Sequence, residues 1–147
     1  MTEEKDKALC EKYPKIFRDR NKSMQETCMC WGFEHGDGWY AIVESLCSNI
    51  QNHIDWKRRG EQFKDLSDEE FDEEHQTVAV QVKEKFGGLR FYVNNEDDYV
   101  RGAISMAESM SYRTCEECGD QGKGRSGGWI RTLCDECHSA VKRPASS

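Results

Sequence analysis

From residue 39 onward, apolar side chains fall at Trp39, Ile42, Val43, Leu46 and Ile50, the i, i+3, i+4, i+7 stripe of an amphipathic helix. The spacing predicts a helix over about residues 39–56 as the central packing element. Ahead of it, a polar helical arm should stop at Tyr13-Pro14, because the residue before proline is pushed out of the helical region. An irregular stretch follows and ends in the glycine-rich segment Gly32 to Gly38, where Asp37 is placed to cap the coming helix.

After the central helix the period changes. Val78, Val80 and Val82 alternate with polar neighbours, and so do Leu89, Phe91 and Val93. Two period-2 runs around Gly87-Gly88 predict a β-hairpin with a two-residue turn. With both glycines in the turn, Phe86 would face Leu89, Lys85 would face Arg90, Lys83 would face Tyr92 and Val82 would face Val93. The apolar face would then hold Val80, Val82, Phe86, Leu89, Phe91 and Val93. A second helix should begin near Asp97-Asp98 and point Val100, Ile104, Ala107 and Met110 at the core. Between the two helices, residues 57–76 are polar, with seven acids from Asp65 to Glu74. They predict a solvated, mobile insertion in which Ser67 and Glu70 have capping-box spacing for a short helix.

From Thr114 the chain loses its aliphatic pattern and becomes rich in glycine and cysteine. Cys115-Glu116-Glu117-Cys118 and Cys134-Asp135-Glu136-Cys137 are 15 residues apart, the spacing of a structural zinc site. Two cysteines three apart on a tight turn aim both sulfurs at one ion, and two such turns complete a tetrahedron. Gly119 follows the first pair as a knuckle requires. A glycine-rich loop, a strand into Cys134 and a short helix after it resemble a treble-clef finger, with a zinc ribbon as the alternative. One structural Zn²⁺, bound by Cys115, Cys118, Cys134 and Cys137, is the expected cofactor. Four protein ligands leave no open catalytic position. A disulfide or haem-attachment reading would require export, and no leader-like apolar stretch opens the sequence.

The expected fold is therefore α+β: two main helices on a β-hairpin or small antiparallel sheet, with a C-terminal treble-clef-like or ribbon-like zinc finger. The body would span residues 1–112 and the finger 113–143, with a disordered tail at 144–147. No apolar run approaches the ~18 residues of a membrane span, and a cytoplasmic setting is expected.

Charge narrows the function. The chain has 147 residues, eight cysteines and a formal charge of −7. Residues 113–143 carry six bases and five acids, so the finger is a poor binder of bulk nucleic acid. Against that acidic background, Lys83, Lys85, Arg90 and Tyr92 share the polar hairpin face and form a candidate site for an anionic nucleotide or nucleic acid. Like charges across a strand pair are locally costly, which often marks function. Glu34, His35 and Asp37 could do acid–base work as a small hydrolase, but no nucleophile motif accompanies them. Cys10, Cys28, Cys30 and Cys47 are most simply plain thiols, with Cys28-Met29-Cys30 a weak second-metal candidate. His53 and His75 read as solvent-facing.

The strings Trp31-Gly32-Phe33-Glu34-His35-Gly36-Asp37-Gly38-Trp39, Gln81 to Tyr92, Thr114 to Gly119 and Thr132 to His138 resemble a group of small uncharacterised proteins encoded by bacteriophages and prophages. The similarity spans about residues 10–140. It implies a phage accessory protein that binds a host macromolecule or nucleotide signal, with countering host defence as one such role. The missing catalytic motifs and the filled metal shell make a non-enzymatic binding protein the expectation.

Overall fold

A computed structural model describes residues 1–142. The expected tail lies outside the described residues. The element order is α1 (Glu3–Lys12), β1 (Phe33–Glu34), α2 (Tyr40–Arg58), α3 (Asp68–His75), β2 (Val78–Lys85), β3 (Gly88–Asn94), α4 (Asp98–Ser111), β4 (Lys123–Arg125), β5 (Arg131–Leu133) and α5 (Asp135–Lys142). This is an α+β protein, as the patterning predicts.

The core forms around α2. Trp39, Ile42, Val43, Leu46 and Ile50 are all buried, and Cys47 and Ile54 extend the stripe. Helix α4 packs beside α2. It begins as expected, with the Asp97 carboxylate accepting from Val100 N at 2.9 Å. Its buried face holds Val100, Ile104 and Ala107 but not Met110, which is 50% exposed. Ser111 takes the last core position instead. Its hydroxyl accepts from Leu89 N at 2.8 Å, and Glu108 accepts from Phe91 N at 3.4 Å. These two side chains cover the free edge of β3, which would otherwise present unpaired donors.

The sheet is mixed, in the order β1-β2-β3, with β1 parallel to β2 and β2 antiparallel to β3. The two-residue β1 lies in the segment predicted to be a glycine-rich loop. Phe33 is buried, with its ring 5.0 Å from that of Phe17. Two residues are too short to show a period.

The hairpin register differs from the predicted one. The turn residues are Phe86 and Gly87, both left-handed (φ 53° and 83°), and Lys85 pairs with Gly88. Lys83 therefore faces Arg90, Gln81 faces Tyr92, Val82 faces Phe91, and Lys85 does not oppose Arg90. The physical reason is Tyr112: a Cβ on residue 88 would lie 2.3 Å from its ring carbon, so Gly88 serves close packing and not the turn. Because the shift is two residues, the faces are kept. Phe86 leaves the core with the turn and is 68% exposed. An irregularity between Ala79 and Gln81 leaves Val80 unpaired.

The acidic segment is more ordered than predicted. Ser67 and Glu70 form the capping box at the start of α3. Phe71 is only 1% exposed, with its ring 5.2 Å from Phe63 and 5.1 Å from His75. Arg58 ties the loop to α2 through the Phe63 and Leu66 carbonyls and Asp68. At the N-terminal side, α1 ends at Tyr13, and Ile16 and Phe17 pack on the core, with Ile16 O accepting from Ala79 N. No described helix is long and apolar enough to cross a membrane.

Candidate metal centre

Two local structures deliver the four predicted cysteines. In the first, Cys115 O accepts from Gly119 N at 2.9 Å, and Cys115 N donates to Asp120 O at 2.7 Å, which closes a knuckle around Cys115 and Cys118. In the second, β5 leads into Cys134 and the first turn of α5 carries Cys137, whose N–H donates to Cys134 Sγ at 3.4 Å. The ligand order is knuckle, β4–β5 hairpin and helix, the treble-clef arrangement, with the second pair at a helix start and not on a hairpin.

The four Sγ atoms lie within 4.8 Å of one another. Cys118 Sγ and Cys134 Sγ are 3.7 Å apart. A tetrahedron with metal–sulfur bonds of about 2.3 Å has edges of about 3.8 Å, so the cluster has the dimensions of a four-sulfur metal shell. Its electrostatics fit a cation. Burial opposes ionisation of Cys115, but N–H groups of Cys134, Cys118 and Glu117 outweigh it and bring its pKa down to about 7. The Cys134 sulfur, burial and the other two thiols push Cys137 up. The shell fills with thiolates only when positive charge sits among them. Among the described residues this is the one group of histidines, cysteines and carboxylates so placed. Cys10, Cys28, Cys30 and Cys47 are not gathered with it. Cys47 is buried, and Cys10 is pushed up to about 12 by burial and the neighbouring Asp6 carboxylate.

The finger is built onto the body through a seam that the sequence reading did not find. Gly38 N donates to Glu116 O at 2.7 Å, and Gly36 N donates to a Glu116 carboxylate oxygen at 2.9 Å. A Cβ on residue 38 would lie 2.1 Å from Cys115 O, and one on residue 36 would lie 2.4 Å from Glu116 O. Those glycines let the loop backbone touch the knuckle backbone. Trp39 Nε1 donates to Thr114 O at 2.9 Å, Thr132 Oγ1 to Gly87 O at 2.7 Å and Trp129 Nε1 to Glu84 at 3.0 Å. Arg131 pairs with both Glu116 and Glu117.

This seam reassigns the 34–37 loop. Asp37 does not cap α2. It accepts from Thr2 N at 2.8 Å and lies 3.7 Å from Lys5. Glu34 is exposed on β1. His35 is 5% exposed, with its ring against Phe33 and Trp39. Its Nδ1 donates to Gly36 O at 2.8 Å, and burial lowers its pKa to about 4. No hydrogen bond joins His35 to Glu34 or Asp37. His53 and His75 are not solvent-facing as predicted. His53 stacks on Tyr99 at 4.2 Å and meets Asp97 at 2.6 Å, and His75 lies 4.6 Å from the Phe63 ring.

The strand pairing places Lys83, Lys85, Arg90 and Tyr92 on one sheet face. Arg90 is engaged there. Its Nη2 donates to Tyr112 Oη at 3.0 Å, and Glu108 lies 3.9 Å away. Lys85 lies over the exposed Phe86 ring at 5.7 Å. Glu34 sits beside Lys83 in the parallel register. Tyr112, missed by the sequence reading, is the residue that orients Arg90.

Compared with protein-family models, curated proteins and solved structures, the chain matches none.

Proposed function

We propose that this chain is a non-enzymatic binding protein with one structural Zn²⁺ in its finger, acting in the host cytoplasm as an accessory factor of the phage and prophage kind its sequence strings resemble. Zinc is the metal that four thiolates at this spacing select in a reducing compartment. A four-sulfur shell supplies no open position for substrate, so the ion serves the fold.

The observation that carries the binding reading is the exposed aromatic surface where hairpin and finger meet. Phe86 is 68% exposed, Trp129 69% and Ile130 44%. A Cβ on residue 87 would lie 3.2 Å from the Ile130 side chain, and Trp129 is held by Glu84, so the three are neighbours on a backed surface. Lys85 lies over the Phe86 ring and Arg131 over the Trp129 ring. Solvent-facing aromatics with a charged rim are the composition of protein interface hot spots. Elemental analysis should give about one zinc per chain. The tagged protein should capture a defined host protein from lysate, and Trp129→Ala should lose it. A Trp129→Ala variant that captures the same protein equally well would remove this reading, as would turnover of a peptide or nucleotide by the purified chain.

The second reading is an anionic nucleotide or nucleic-acid binder using Lys83, Lys85, Arg90 and Tyr92. Tyr112 favours it by adding a further exposed ring beside the cations. Calorimetry against short single-stranded RNA and cyclic oligonucleotides should then give salt-sensitive heat that Lys83→Ala reduces. Against the hydrolase reading, the His35 ring is buried and no hydrogen bond joins it to Glu34 or Asp37.

A further inference from the structure

Helices α2 and α4 are packed together at the core but part at the surface. Between their outer flanks runs an open apolar furrow of about 660 Å³. Ser45, Gly102 and Ala103 line its floor, and Tyr99, Met106 and Met110 stand along it. The three large side chains are 49%, 64% and 50% exposed. An open furrow does not enclose a small ligand, which a binding cavity normally buries by 70–90%.

Gly102 is the unexplained residue. It sits in the interior of α4, where glycine weakens a helix relative to alanine. Beyond its own helix turn, nothing among the described residues lies within 4 Å of the place its Cβ would occupy. The chain's own packing does not require glycine there.

We propose that this face is a self-association surface on which α4 packs antiparallel against α4 of a second copy. The sequence of the face is self-complementary. Asp98, Gly102, Met106 and Met110 are four apart and form one ridge of the helix. A two-fold axis at Met106 sets Met106 against its own copy. It also seats Met110 of each copy over Gly102 of the other, so a knob enters the recess that the missing Cβ leaves. The same register brings Arg113 of each copy to Tyr99 and Asp98 of the other. Arg113 has no ion pair among the described residues. Asp98 is fully exposed; one of its oxygens meets Arg101 of the same helix at 3.0 Å, a surface contact that leaves the other oxygen facing the rim. The cation then meets a carboxylate and an aromatic ring at each end of the contact. This charge match commits the furrow to a second copy of this chain over an unrelated apolar helix.

Sedimentation and light scattering of the zinc-loaded full chain over a concentration series test it. The expected mass rises to twice that of the chain. Met106→Glu should weaken association at least about thirtyfold while leaving the near-ultraviolet circular dichroism intact. Gly102→Leu fills the recess, so it should weaken association while raising thermal stability, two effects of opposite sign from one substitution. Arg113→Asp should weaken the dimer roughly two- to fivefold, and Asp98→Arg in the same chain should restore it. A wild-type chain that stays monomeric throughout overturns the proposal. So does a dimer that survives both Met106→Glu and Gly102→Leu.

Discussion

The body and the finger solve the same problem by different means. Residues up to Ala107 supply a continuous cluster of buried apolar side chains, from Leu9 and Phe17 through α2 to Phe91 and Ile104. In the described part of the finger, the buried hydrophobic residues are Cys115 and Leu133 alone. At roughly 1.5–3 kcal/mol for a fully buried aliphatic side chain, that cannot offset the ordering of nearly thirty residues. The body is held by exclusion of water; the finger gathers four sulfurs that could hold a metal ion, and coordination is what the proposed zinc would supply. The two meet at Gly36 and Gly38, where backbone lies on backbone and neither kind of force has room for a side chain.

The largest expected effect follows from removing the metal. Binding of structural zinc contributes about 10–16 kcal/mol in finger peptides, and the proposed zinc would stand in for a core here. Treatment with a strong chelator should abolish hydrogen-exchange protection across residues 113–142. It should also loosen residues 36–39, where the Gly36 and Gly38 amides donate to Glu116 and the Trp39 indole to Thr114 O, and leave α2 and α4 protected. Simultaneous loss of protection in α2 would mean that the metal and the core form one cooperative unit, and the contrast would fail.

A smaller effect tests the seam. Gly38→Ala places a methyl 2.1 Å from Cys115 O and 2.6 Å from Glu116 O, both backbone atoms of the cysteine knuckle. The cost of such overpacking is about 3 kcal/mol, read as a lowered unfolding midpoint of the zinc-loaded protein. Gly124→Ala is the matched control inside the finger. Apart from its chain neighbours, nothing among the described residues lies within 4 Å of its added methyl, so the change should stay within about 0.5 kcal/mol. Equal effects at the two positions would show that body and finger do not bear on each other.

The same division decides what could be read from sequence. Apolar periodicity located α2 and α4, and cysteine spacing located the metal cluster, because both are local and repetitive signals. The hairpin faces were legible but its register was not. Period 2 records which side a residue faces, and the pair Gly87-Gly88 hid that one glycine serves the turn while the other lies under Tyr112. Met110 was read as core because an apolar position does not declare which of two faces it serves. The acidic run concealed Phe71, a single aromatic that anchors α3. The seam had no local signature at all. Its contacts join residues 75 and 80 positions apart, so the glycines of the 36–38 loop looked like turn formers or a helix cap.

The smallest effect separates the seam from the metal by pH. His35 lies beneath the Gly36–Gly38 loop with its Nδ1 proton committed to Gly36 O, and its Nε2 meets no hydrogen-bond partner among the described residues. Protonation would place a second N–H, and a charge, where nothing accepts them. Burial therefore lowers the folded pKa from 6.5 to about 4, and below pH 6.5 the unfolded chain takes up the proton more readily. Stability is unaffected above pH 6.5 and declines as pH falls toward 4, by about 2 kcal/mol at pH 5. Thiolate protonation also releases metal on the acid side, so the measurement is a difference. Denaturant unfolding of wild type and His35→Gln is followed from pH 7 to pH 5 with zinc in excess. The variant should start less stable, having lost the imidazole packing between Phe33 and Trp39, and should lose about 2 kcal/mol less on acidification. Parallel pH profiles would mean that acid acts on this protein through its four sulfurs alone, and that the body contributes no proton-sensitive contact to the finger.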